Sequence, residues 1–377
     1  MTLGYFAPLP PAPTGVAEYA EALAGRLREH VSLRLNQPGE LNLYHIGNNA
    51  LHGALYDRAL AEPGVVLLHD ACLHHLLLGR LSREQYIAEF VYNYGAWFEE
   101  AAARYWQSRG QSGADLRYFA RPLLKRLCER ARLVVVHNPA AARAVGEHAP
   151  TAPVLVLPHL FVPPPEYSYR EIDTYREQVL GTGREACLFA VLGHLRESKR
   201  LAVVLRAAGR LVRAGVPLRL LVQGRFVGEE LERALAPELA ERWVLRRGYL
   251  PEAEWWLQAH ALDAGLNLRW PLAGESSGIA TRLMGIGRPV VLTRSLETED
   301  LPEAAAIRID PGLAEQEQLE HYMAWLALNP EARHSIGRHA AIHTREHHDA
   351  ATVARSLLAA LEPFGLTGPW QERYPEV

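Results

Sequence analysis

Cysteine is scarce in this chain: Cys72, Cys128 and Cys187 are the only three among 377 residues. Their spacing fits neither a CxxC motif nor a zinc ribbon. So sparse and odd a set excludes a disulfide framework and reads as buried thiols of a reducing compartment. No apolar run approaches the ~20 residues that a membrane helix requires. The opening residues, MTLGYFAPLPP, lack a basic stretch followed by an apolar one, which argues against a secretory signal. A cytoplasmic location is the expectation. The formal net charge is -3, without the basic excess of a nucleic-acid binder. No G-x-G-x-x-G fingerprint is found, which removes the main support for a dehydrogenase. Short-period repeats and low-complexity tracts are absent as well.

What is present is a chain of 377 residues, 49% of them hydrophobic, a length too great for one typical domain and comfortable for two. Short β-type apolar runs alternate with longer helical patterns. The expected strands of the first half are Leu3–Phe6, Leu41–Ile46, Val65–His69, Leu133–His137 and Val154–Leu157. Those of the second half are Cys187–Leu192, Leu218–Val222, Trp243–Arg246, Ala264–Leu268 and Pro289–Thr293. Runs such as VVLL are apolar at every position, as expected where helices cover both sheet faces. The alternation predicts an α/β fold with parallel, doubly wound sheets. The segment PHLFVPPPEYSY, residues 158–169, holds four prolines. Proline lacks a donor N–H and restricts its predecessor, so this segment reads as a linker. The expected division is 1–162, 163–347, and a C-terminal helix and tail, 348–377, returning to the first domain. Trp370 and Tyr374 in that tail are expected to dock.

Ligands of α/β sheets bind outside the carboxyl ends of the strands, so three strand-to-helix loops matter most. In APLPPAPTGVAEYAEAL, Thr14 and Gly15 lead into an amphipathic helix whose N-terminus favours an anion. In LFAVLGHLRESKR, a buried strand ends at Gly193. His194, Arg196, Lys199 and Arg200 follow, cations suited to a diphosphate. In LNLRWPLAGESSGIATRLMGIGRPVVL, the residues Glu275, Ser276, Ser277 and Gly278 are expected to open a helix. There, free N–H groups face phosphate, and Glu275 accepts hydrogen bonds from sugar or ribose hydroxyls.

Together these loops carry a resemblance. The chain resembles a retaining glycosyltransferase of the GT-B fold, in glycosyltransferase family 4, over nearly its whole length. Thr14-Gly15-Val16 is similar to the family's first glycine loop, with threonine for the first glycine. Gly193-His194-Leu195 through Lys199-Arg200 is similar to its G-R-L-x-x-x-K-G loop. Gly248-Tyr249-Leu250-Pro251 is similar to its G-Y-L-P turn, and Glu275 through Gly287-Arg288-Pro289-Val290 to its Glu-containing helix and G-K-P-V. Two departures stand out. His194 replaces a phosphate-binding arginine, which leaves two alternatives: Arg196 takes the role, or the site is weaker. Arg282 lies near the position of the family's second, ribose-binding Glu.

The resemblance implies two facing Rossmann-like domains with a cleft between them, the first for an acceptor and the second for a nucleotide-sugar donor. It implies transfer with retention of anomeric configuration, without a metal and without a cofactor, the nucleotide-sugar being a substrate. Its donor-binding set is Gly15, Gly193, His194, Arg196, Lys199, Glu275, Ser276, Ser277 and Gly278. Lys199 and Glu275 double as catalytic residues, with His69 as the third. The resemblance also places a histidine at the end of a first-domain strand, facing the donor sugar. In GVVLLHD that residue is His69, ahead of His74, His75 and His137. The alternatives are an inactive partner protein of the same fold and a sugar-nucleotide epimerase. The acceptor, the sugar, the base and the oligomeric state are not encoded legibly. The H-x-x-E-H string at 343–347 is discounted as a zinc site for want of a third ligand. The aromatic stripe Tyr86–Trp106 reads mainly as core. The arginines and lysine from Arg117 to Arg132 read by default as a solvated helix face, and peripheral contact with anionic lipid is left open.

Overall fold

The computed structural model describes residues 2–178, 181 and 185–365. The tail aromatics Trp370 and Tyr374 lie outside these. The chain divides into two compact units: Met1–Leu160 with Pro271–Gly278 and His347–Val377, and Phe161–Trp270 with Ile279–Glu346.

In the first unit six strands form one sheet: β1 (Thr2–Phe6), β2 (Ser32–Leu35), β3 (Leu41–Ile46), β4 (Val65–Leu68), β5 (Leu133–Val136) and β6 (Val154–Val156). The order is β2-β1-β3-β4-β5-β6, and every pairing is parallel. Side chains alternate between the two faces. Leu3, Tyr5, Leu43, Val65, Leu67 and Val135 pack against helices Gly15–Leu27 and Ala350–Leu361. Phe6, Tyr44, Ile46, Val66, Leu68 and Val134 pack into a second core with Tyr86, Phe90 and Tyr105. The aromatic stripe is therefore core at those three positions, but Trp97 is 98% exposed. The strand order reverses between β1 and β3, which is the switch point where open α/β sheets generally receive ligands.

The second unit carries β7 (Cys187–Leu192), β8 (Leu218–Gln223), β9 (Val244–Arg247), β10 (Ala264–Asn267), β11 (Val290–Thr293) and β12 (Ile307–Ile309). Their order, β12-β11-β10-β7-β8-β9, is that of a dinucleotide-binding Rossmann sheet, with its switch point between β7 and β10. All pairings are parallel. Helices Leu201–Arg213 and Glu315–Leu328 cover one face. Helices Glu252–Ala261 and Gly278–Gly285 cover the other.

The structure thus has the α/β architecture expected, with two strands beyond those anticipated. Both β2 and β12 are edge strands, three or four residues long and each interrupted by an arginine, Arg34 or Arg308. Arg308 is buried, and its guanidinium donates to the Leu301 carbonyl at 2.9 Å as well as to Glu303. That pairing is what lets a charged residue sit in a strand three residues long. Among the described residues no helix is long and apolar enough to cross a membrane.

Candidate functional site

At the switch point of the second unit, β7 is followed directly by Gly193, with φ +92°. Its neighbour β8 is followed directly by Gly224, with φ +137°. A Cβ on Gly224 would lie 1.9 Å from the Gly193 carbonyl oxygen, so the two turns are pressed backbone to backbone. Leu195 N–H donates to Arg225 O at 2.8 Å and Val227 N–H to Leu195 O at 3.0 Å, which zips the loops together. This is a position only glycine can fill.

Lys199 lies in the short turn Glu197–Lys199 that precedes helix Leu201–Arg213. It is buried, 8% exposed, and its Nζ donates to the Leu192 carbonyl at 2.6 Å. The same Nζ lies 3.5 Å from where a Cβ of Gly193 would be. The ammonium is therefore fixed beside the bare glycine turn. The ordinary His194 pKa is lowered, first by desolvation and then by the charges of Arg196, Lys199 and Arg225. Three cations acting on one turn make a concentrated positive field, the setting a diphosphate requires. Gly193, His194, Arg196 and Lys199 are thus brought together. Arg225 is an addition the sequence reading missed, though Gly224-Arg225 follows an apolar strand just as Gly193-His194 does.

Arg200, expected in the same cationic cluster, is elsewhere. It adopts a left-handed conformation, φ 58°, and its Nε donates to Glu315 Oε2 at 2.9 Å. Glu315 is 1% exposed, so Arg200 neutralises a buried carboxylate. A cavity of about 180 Å³ opens next to the paired turns, lined by Leu195, Val222, Gly224, Phe226, Arg246, Arg247 and Gly248. Arg282 stacks 5.3 Å from the ring centres of both Trp255 and Trp256.

Of the stretch expected to open a helix, Gly278 is the first helical residue, and Glu275, Ser276 and Ser277 lead into it. They lie in the loop Pro271–Gly278, which clusters with the first unit. Asn138 holds that loop. Its Nδ2 donates to Gly274 O at 3.2 Å and to Ser276 Oγ at 3.1 Å, and Ser276 Oγ donates to His137 O at 3.3 Å. Asn138 Oδ1 accepts from Ala141 N–H at 2.8 Å as the cap of helix Pro139–His148, so one amide serves both elements. Gly274, φ +68°, packs so closely that a Cβ would meet the Ala71 Cβ at 2.5 Å. Gly15 begins its helix behind the capping Thr14, whose Oγ1 accepts from Val16 N–H at 3.4 Å.

His69 follows β4 directly and is 8% exposed. Its ring lies between two other imidazoles: His45 Nδ1 is 3.0 Å from His69 Nε2, and His137 Nε2 is 3.3 Å from His69 Nδ1. His137 Nδ1 in turn donates to Leu157 O at 3.0 Å. Tyr19 stands edge-on to His69, ring centres 5.0 Å apart. His74 is a buried structural residue, with Nε2 on Arg121 O at 2.6 Å and Nδ1 on the Tyr86 hydroxyl at 3.0 Å. Among the described residues no group of three histidine, cysteine or acidic side chains converges as a metal site.

Burial pushes His45 and His69 well below their ordinary pKa, and neighbouring histidines add to the effect. Burial also brings His137 down to about 4 from 6.5. A histidine depressed in the folded state contributes stability that is present above the unfolded pKa. That stability is lost as pH falls towards the folded pKa. His137 alone should therefore cost about 2 kcal/mol on going from neutral pH to pH 5. Urea unfolding at pH 7.5 and pH 5.0 should show a clearly lower midpoint in acid. Equal midpoints would mean that these histidines are already charged or solvated when folded.

No protein-family model matches the chain, and no curated protein does. Solved structures do. HepE from Anabaena, in complex with UDP and glucose, is 15% identical with a TM-score of 0.62, over 96% of this chain and 100% of that one. Sucrose-phosphate synthase from Thermosynechococcus elongatus is 12% identical with a TM-score of 0.67, over 97% and 99%. WaaG, a glycosyltransferase involved in lipopolysaccharide biosynthesis, is 15% identical with a TM-score of 0.59, over 95% and 98%. These likenesses establish the fold as GT-B.

Proposed function

We propose that this chain is a retaining, metal-independent glycosyltransferase of family 4 that takes its sugar from a nucleoside-diphosphate donor. The observation that carries this reading is the buried Lys199 ammonium beside the Gly193 turn, at the switch point of a Rossmann sheet. Fold analogy supports it, since HepE is solved with UDP-glucose as well as with UDP. In this reading Lys199, Arg196 and Arg225 neutralise the leaving diphosphate, and the Gly193 and Gly224 turns let it approach the backbone. The 180 Å³ cavity beside them takes the nucleoside, with Phe226 and Arg246 as its flat walls.

A leaving diphosphate gains negative charge as the glycosidic bond breaks. Fixed cations therefore stabilise the transition state more than the ground state. Glu275 accepts hydrogen bonds from sugar hydroxyls, and Ser276, Ser277 and Gly278 complete its loop. Gly15 heads the helix at the switch point of the first sheet, where a phosphate or sugar meets its N-terminus. His69 lines the acceptor end of β4. Both its ring nitrogens are bonded to other histidines, so it serves there as a fixed wall and not as a base. The acceptor is a hydroxyl compound that the first unit receives.

The test is a proton NMR time course with an accepted donor in EDTA. The product should keep the donor's anomeric configuration at an undiminished rate. An inverted product would overturn retention, and full loss of turnover restored by Mg²⁺ or Mn²⁺ would overturn metal independence. Glu275→Gln keeps shape but accepts hydrogen bonds less well. It should raise the donor KM or lower turnover about tenfold and leave nucleoside diphosphate affinity unchanged. Equal losses for diphosphate and donor would place Glu275 on the nucleotide instead.

A further inference from the structure

The three imidazoles of His45, His69 and His137 come from the carboxyl ends of three neighbouring strands, β3, β4 and β5. Their hydrogen-bond directions are not free. A carbonyl only accepts, so the 3.0 Å contact to Leu157 O puts the His137 proton on Nδ1. In a neutral ring Nε2 is then bare and must accept, so His69 carries its proton on Nδ1. His69 Nε2 is then bare and accepts from His45 Nδ1–H. The last atom of the series, His45 Nε2, is left as an acceptor, and it is buried without a hydrogen-bond partner. Each direction agrees with the next from one end to the other.

We infer that His45 and His137 are positioning residues for His69: with the Leu157 carbonyl they lock its imidazole as the neutral Nδ1–H tautomer and tie the ends of β3, β4 and β5 into one fixed surface. That surface is the acceptor end of the first sheet, so this inference rests on the glycosyltransferase reading for its purpose, though not for its geometry. A free, neutral histidine side chain favours the Nε2–H tautomer, so a run of three Nδ1–H rings is a distinctive signature. His74 supplies an internal contrast. Its Nε2 faces the Arg121 carbonyl, and its Nδ1 accepts from Tyr86. The groups that act electrostatically on the three rings are one another, His52, His159 and His348. Tyr5 and Tyr19 pack on their faces and edges.

The experiment is long-range proton–nitrogen correlation of the imidazoles in the ¹⁵N-labelled full chain at pH 7.5, assigned by single substitutions. His45, His69 and His137 should show Nδ1–H patterns and His74 an Nε2–H pattern. His137→Gln keeps an N–H for Leu157 O and a carbonyl for His69, so His69 should stay Nδ1–H. His137→Phe keeps bulk but removes both, so His69 should leave that tautomer and acceptor-dependent turnover should fall about tenfold. Nucleoside diphosphate affinity should be unchanged in both variants. An Nε2–H His69 in the unsubstituted chain, or a tautomer indifferent to His137→Phe, would overturn the inference. The unsubstituted spectrum decides the matter even if a variant does not fold. A chain that binds no nucleoside diphosphate would sink the glycosyltransferase reading and leave the tautomer result standing.

Discussion

Lys199→Ala should lower transfer on the order of 10²–10³-fold, the scale of removing one preorganised group that stabilises developing charge. The ammonium is held by the Leu192 carbonyl at 2.6 Å beside a glycine turn, so in the proposed reaction it would need no reorganisation as a diphosphate leaves. Diphosphate affinity should fall as well, though by less than turnover, because charge builds towards the transition state. Lys199 is buried. The variant therefore also loses packing of its aliphatic stem. Lys199→Met keeps that stem and separates the two effects: it should be as folded as the parent and nearly as inactive as the alanine variant. Steady-state kinetics with thermal midpoints for both variants checks this. A folded Lys199→Met with near-normal turnover would remove Lys199 from the chemistry.

Gly224→Ala should be the most destabilising single methyl in the second unit. The new Cβ would stand 1.9 Å from the Gly193 carbonyl oxygen, on a backbone with φ +137°. Neither atom is the end of a flexible side chain, so β7 and β8 must part at the site itself. Strain and overpacking together should cost about 3 kcal/mol, a fall in midpoint of roughly 6–12 °C. Gly215→Ala is the control: φ is +85° there, but nothing lies within 4 Å of the added carbon. It should lose only the smaller conformational part. Differential scanning calorimetry of the pair decides the point, and similar midpoints would mean that the turns are not in contact.

The parts of this fold legible in the sequence are those set by local pattern. Continuous apolar runs such as Cys187–Leu192 announce strands covered on both faces, and the structure has that strand over the same residues. The cationic turn after Gly193 is legible because glycine, strand end and charges are adjacent. What was not legible depends on distant partners. Arg200 looks like a fourth phosphate cation until the fold brings Glu315 to it. Glu275, Ser276 and Ser277 look like a helix start. The helix does begin directly after them, at Gly278, but that Asn138, 136 positions from Gly274, holds their loop was not legible. His69 and His137 stood out as strand-end histidines. His45 did not, because it lies within β3, and only the parallel register of β3 with β4 brings it beside His69.

Calorimetric titration addresses directly the proposed nucleoside diphosphate site at the carboxyl ends of β7 and β8. A panel of nucleoside diphosphates should be titrated into the full chain in EDTA, and into Lys199→Met in parallel. The account predicts that one diphosphate binds at one site per chain without metal, and at least about tenfold more weakly to the variant, as expected for a lost charge-assisted contact. Absence of binding by every diphosphate, or equal binding by the parent and by Lys199→Met, would contradict it.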